Sequence, residues 1–175
     1  INIALALVVA VNIIATKVRV RVDMTEDKIF TLSQGSKDVM GKVSSPVILR
    51  FYCTRGQSEV PVHIKNFARR VEDLLVEYER NSGGNVRLER FNPQPDSDQE
   101  DTARLDGIRG QQLPSGERMY LGLAISCVGE TETIPVLSMS DENNLEYEIS
   151  RAIYRVSHPE KITIGVMSAL PVAGT

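Results

Sequence analysis

The chain has 175 residues, no tryptophan, and a net charge of only −3. That near balance gives no chain-wide electrostatic basis for nucleic-acid binding, and the lack of tryptophan with few other aromatics argues against a stacking platform for sugars. Beyond an apolar N-terminal run, about 150 residues remain, enough for one substantial core but not for two full domains.

Ile1 to Ala15 reads INIALALVVAVNIIA, uncharged and interrupted only by Asn2 and Asn12. An isolated helix needs roughly 20 apolar residues to cross a hydrocarbon core, so the expectation is a truncated membrane-anchor helix over residues 1–16. A buried core helix and a signal-peptide core are the alternatives. Val18, Val20 and Val22 then alternate with Arg19, Arg21 and Asp23, the period of a half-buried strand. Thr31, Leu32 and Ser33 introduce a short helix ending at Val43, with Ser33 placed to cap it. Residues 17–46 therefore form a linking strand and short helix.

Val47 to Thr54, VILRFYCT, is a compact strand rich in β-formers, and Arg55 to Pro61 carries loop signals. In the next helix Ile64, Phe67, Ala68, Val71, Leu74, Leu75 and Tyr78 recur at three- and four-residue spacing. Its packing face is expected to use Phe67, Val71, Leu74 and Leu75. Arg69 and Arg70 on the other side offer an anion patch or, more simply, a solvated mixed-charge face. Asn81 to Gly84 supplies the stop.

Val86, Leu88 and Phe91 make the following strand, ending at Asn92 and Pro93. Asp96, Asp98, Glu100 and Asp101 lack the glycine and terminal glutamate of a calcium loop, so they read as a solvated loop and the start of a short helix running through Leu105 to Gly107. Arg118 to Val128 and Thr131 to Leu137, separated by Gly129 and Glu130, read as an antiparallel hairpin. A helix from about Glu142 to Ser157 carries a second stripe of Leu145, Ile149, Ala152, Ile153 and Val156, with Glu148 and Arg151 able to pair on its outer side. Lys161 to Met167 reads as a further strand, and residues 159–175 as the start of a following α/β region.

Cys53 and Cys127 have neither C-x-x-C spacing nor zinc-site clustering. They are expected to stay unpaired, because antiparallel strands would hold their C-terminal ends at opposite edges and a disulfide needs Cα atoms within about 7 Å. His63 and His158 fall in no recognisable triad, Cys-His or H-E-x-x-H pattern; a thiol site would require the fold to bring Cys53 and His63 together. No cofactor and no metal site is expected. No G-x-x-x-x-G-K-[ST] loop is present, so nucleotide binding in the manner of a motor ATPase is excluded.

From Val47 to Ser157 the order of elements is similar to a thioredoxin-like core, giving an α/β class with a mixed sheet and flanking helices over residues 47–158. Cys53 has no second thiol three residues on, so fold analogy does not carry oxidoreductase activity with it.

The hydrophobic N-terminus, Arg21, Asp23, Thr25 and the Thr31, Leu32, Ser33 segment resemble the R-x-D-x-T and x-L-S opening of the auxiliary component of gliding-motility-type ABC transport systems, the GldG-like family. VILRFYCT, the Val71 to Tyr78 helix, the Phe91, Asn92, Pro93 strand end and the Glu146 to Val156 helix follow in matching order. Asn92 departs from the Asp-Pro expected there and takes no acidic role. The resemblance implies a non-catalytic, membrane-anchored extracytoplasmic subunit at the cell inner membrane, working beside an ABC permease and, through it, an ATPase. Arg21, Asp23 and Thr25 become the candidate partner-interaction residues. Lys17, Arg19 and Arg21 beside the anchor would by the positive-inside tendency keep that side cytoplasmic. A peptide- or polymer-binding module that presents cargo, with a peptide docking along a sheet edge, is the alternative.

Overall fold

The computed structural model describes residues 31–55, 60–113 and 116–159. The anchor, the Val18 to Val22 strand, the candidate residues Arg21, Asp23 and Thr25, and the Lys161 to Met167 strand lie outside the described residues. The chain is α/β, with a mixed five-stranded sheet and flanking helices.

Helix α1, Gln34–Lys42, starts at Ser33, whose side chain accepts from the Ser36 amide at 3.3 Å, as the capping signal requires. Strand β1, Val47–Cys53, runs through the middle of the sheet. It pairs in parallel with β2, Val86–Phe91, in the register Leu49 to Leu88, and antiparallel with β4, Arg118–Cys127, in the register Leu49 to Ile125. A parallel neighbour needs a crossover, which α2, Val62–Asn81, provides. Ser82 closes that helix, its hydroxyl donating to Glu79 O at 2.7 Å and accepting from the Val86 amide at 3.0 Å as the chain turns into β2. Helix α3, Asp98–Leu105, follows, then the short β3, Gly110–Gln112. β4 bonds to β3 over Arg118 to Tyr120 and to β5, Glu130–Ile134, over Leu123 to Cys127. A 3₁₀ turn, Met139–Asn144, leads into α4, Leu145–Ser157.

Alternation along the strands builds two cores. Val47, Leu49, Phe51 and Cys53 of β1 and Leu121, Leu123, Ile125 and Cys127 of β4 point to one face, where they meet buried residues of α1, α2 and α4. Tyr52, Tyr120 and Ala124 point to the other, beneath Ala103 of α3 and Ile108. Gly122 lies between Tyr120 and Ala124 because a Cβ there would meet Ile108 Cγ2 at 2.7 Å and the Pro135 carbonyl at 3.0 Å.

Three expectations need correction, and one strand was not expected at all. On α2 the fully buried leucine is Leu75, with Tyr78 beside it, whereas Leu74 is only partly buried at the edge of the stripe. The α4 stripe is as expected, but the helix proper begins at Leu145, since residues 139–144 wind as 3₁₀. The hairpin turn is Val128 and Gly129, with Glu130 already paired to Cys127, and β5 ends at Ile134. β3 was not anticipated, because Gly110, Gln111 and Gln112 carry no strand pattern.

Cys53 and Cys127 are both buried and free. Cys127 stands opposite Val47 and Cys53 opposite Leu121, so six residue steps of β1 separate them. At the rise of a strand that is roughly 20 Å, well beyond disulfide reach.

Candidate functional site

At the C-terminal end of β1 the sheet, the start of α2 and the start of β4 enclose a groove of about 270 Å³. Its floor is apolar, with Cys53, Val60, Ala68, Met119 and Leu121 all nearly solvent-excluded. Thr54 fixes the geometry of the end wall: its amide donates to Tyr120 O at 2.9 Å, and its hydroxyl donates to Pro93 O at 3.1 Å while accepting from the Tyr120 amide at 2.9 Å. Burial pushes the Cys53 thiol up from its ordinary value, and the neighbouring Arg55 only partly offsets this. A thiol held protonated is a poor nucleophile. His63 is exposed and does not line the groove, so the fold does not bring it to Cys53.

The rim of the groove is polar. Arg55 and Arg90 both bond to Glu72, at 2.7 Å and 2.6 Å. Burial alone would raise the Glu72 carboxyl, but these two guanidinium groups outweigh it and hold the group below its ordinary value. Lys65 and Arg69 are exposed and carry no ion pair among the described residues. Arg70, by contrast, is engaged by Glu142 at 2.6 Å and 3.0 Å, so the Arg69, Arg70 pair splits into a structural and an unengaged cation.

A second constellation joins α1 to the body of the domain. Glu146 Oε1 accepts from the Ser33 amide at 2.7 Å and from the Ser36 hydroxyl. The buried Tyr78 hydroxyl donates to Glu146 O at 2.8 Å and lies 2.7 Å from Ser150 Oγ, which in turn bonds to Ser36 at 2.9 Å. Burial pushes the Tyr78 phenol up to about 12. Leu32, Met40 and Val43 are buried in the main core alongside this network. On the outer side, Val39, Tyr147, Arg151 and Tyr154 line an open groove of about 490 Å³ between α1 and α4. His158 stacks on Tyr154 with ring centroids 4.5 Å apart.

Under α3, Tyr52 donates to Asp106 at 2.5 Å and Arg50 pairs with the same carboxylate at 3.2 Å. Glu100, expected in a solvated acidic stretch, is instead buried. It accepts from the Tyr120 hydroxyl at 2.6 Å and the Asp96 amide at 2.8 Å. These bonds hold its carboxyl below the ordinary value. The signal was present as Ser97-x-x-Glu100, since Ser97 caps α3 and the glutamate three residues later reaches back toward the helix entrance. Among the described residues no group of three or more His, Cys, Asp and Glu could hold a metal ion, and no helix is long and apolar enough to cross a membrane.

No curated protein and no solved structure matches the chain. A family of sequences does match, over residues 26–126, which is more than half of the chain and takes in α1 through nearly all of β4. The chain belongs to the family described as a domain of unknown function, DUF7088.

Proposed function

We propose that this chain is a non-catalytic, membrane-anchored auxiliary subunit of an ABC-type transport system. Its extracytoplasmic α/β domain would couple to the permease and, through that, to the ATPase. The observation that carries the reading is the attachment of α1. A flexible tether would leave the first helix after the linking segment loosely docked. Here Leu32, Met40 and Val43 are buried in the main core, and Ser33 and Ser36 are tied to Glu146. Displacement of the chain before Leu32 would therefore be transmitted to α4 and the sheet rather than absorbed. That is the mechanical property a coupling subunit needs. In the GldG-like opening, Arg21, Asp23 and Thr25 precede this attachment in sequence, and Leu32 and Ser33 are part of it.

The finer fold assignment, a thioredoxin-like core, has the strand order β2-β1-β4 with β5 on β4, β1 and β2 parallel and β4 reversed, in its favour. Thiol chemistry in that core has little support. Cys53 has no second thiol within reach, and burial raises its pKa.

Copurification of the full-length protein with its permease tests the reading. The two proteins are expected to copurify, and charge reversal at Arg21 or Asp23 is expected to weaken assembly while leaving the domain's thermal unfolding unchanged. Full assembly and transport in both reversals would remove the partner role from these residues, and a permease that never copurifies would remove the subunit assignment. A reporter phosphatase fused after Thr175, active only outside the cytoplasm, tests the orientation.

A further inference from the structure

We infer that the groove beside Cys53 binds a short segment of a partner polypeptide that is both apolar and acidic, seating an aliphatic side chain on its floor and holding a neighbouring carboxylate on Lys65 and Arg69. The inference rests on reading the domain as a non-catalytic binding module.

Size sets the kind of occupant. At about 270 Å³ the groove falls below the roughly 300 to 1,000 Å³ of small-molecule sites, so it accommodates one or two side chains rather than a whole ligand. The floor sets the chemistry of the inserted group. Cys53, Ala68, Met119 and Leu121 present carbon and sulfur, and the buried thiol is neutral, so an alkyl group entering there strands no charge. At the end wall the Thr54 amide and hydroxyl are already committed to Tyr120 and Pro93, so neither is left to bond an incoming segment.

The rim selects the sign of charge. Among the described residues three cations and one carboxylate line it, and the carboxylate, Glu72, is already engaged by Arg55 and Arg90. Lys65 and Arg69 stand one helical turn apart on α2, so they share a face and can close on a single carboxylate from two sides. Two cations are too few for a membrane surface, where recognition of anionic lipid uses clusters of about four to eight. They suit an acidic side chain next to the apolar one.

The test uses the full chain, methyl-labelled and observed by NMR, with a blocked tetrapeptide alternating glutamate and leucine as probe. Saturable shifts confined to Ala68, Met119 and Leu121 are expected, with the glutamine–leucine and lysine–leucine counterparts binding more weakly. The double variant Lys65→Glu, Arg69→Glu should lose roughly tenfold in affinity, the scale of two exposed charge pairs, whereas Lys65→Arg with Arg69→Lys should retain it. Both positions are exposed, and an unchanged unfolding temperature verifies that the variants fold. Equal binding of the glutamine peptide, undiminished binding by the charge-reversed variant, or shifts elsewhere on the domain would overturn the proposal. So would phosphatidylglycerol vesicles that shift the same methyls when the peptide does not. No permease takes part in this measurement. Failure here therefore removes the groove's role, whereas failure of copurification removes the transport reading.

Discussion

The Ser36 hydroxyl donates to the Glu146 carboxylate across 110 residues of sequence, and the same oxygen also takes the Ser33 amide. One side chain of α4 thus holds the cap and the first turn of α1. Glu146→Ala should destabilise the domain by about 1 to 3 kcal/mol, the range for losing hydrogen bonds to a charged acceptor. It should also accelerate amide exchange in α1 ahead of exchange in β1. Uniform acceleration across both elements, or none, would show that Glu146 is not what holds the helix down.

Leu75 has no exposed surface, whereas Leu74 is only partly buried at the margin of the core. Leu75→Ala should therefore cost about 2 to 5 kcal/mol, since a fully packed site leaves a cavity behind. Leu74→Ala should cost clearly less, because solvent fills part of the space. Denaturant midpoints at unchanged slope would rank the two, and the reverse ranking would mean that α2 is rotated about its axis.

The stripes of α2 and α4 were legible because they combine helical spacing with length, so periodicity alone identifies the buried face. It could not distinguish Leu74 from Leu75, which are adjacent on that face; the neighbouring strands decide which goes deeper. The Ser33 cap was legible from residue type. β3 was not, because its pairing with β4 is imposed from outside on a polar tripeptide. The Cys53 groove was invisible for a similar reason. Its walls come from β1, α2 and β4, and only the sheet register brings Met119 and Leu121 beside Cys53 and Ala68. Glu100 could have been read from its capping-box spacing, but the Tyr120 partner that makes its burial tolerable comes from a distant strand.

Glu72 and Glu100 both ionise at lower pH in the folded chain than their ordinary value of 4.5. The unfolded chain therefore binds more protons as the solution is acidified, and stability falls as the pH is lowered. Their contribution is fully present above about pH 5 and is lost as pH drops below 4.5 through the folded-state values. Glu100→Gln, which keeps the shape but removes the negative charge to which the Tyr120 hydroxyl and the Asp96 amide donate, should lower neutral-pH stability and flatten this acid limb. Denaturant titrations from pH 3 to 7, taken at about 0.1 M salt to limit screening differences, would measure both effects. An unchanged slope below pH 4.5 in the variant would assign the acid sensitivity to other carboxyls.

Val128 and Gly129 both have positive φ, 47° and 90°, in the two-residue turn between β4 and β5. This is the backbone of a type I′ hairpin, which suits Asn-Gly and penalises a β-branched side chain. Val128 is 83% exposed, so its side chain gains almost nothing from packing to offset the strain. Val128→Asn should therefore stabilise the domain by about 1 kcal/mol, the lower end of the range for relieving an unfavourable backbone conformation. Gly129→Ala should do the opposite, placing a Cβ at a φ that L-residues avoid. Opposite shifts in thermal midpoint for the two variants are the expected result, and destabilisation by Val128→Asn would mean that this turn does not have the I′ geometry.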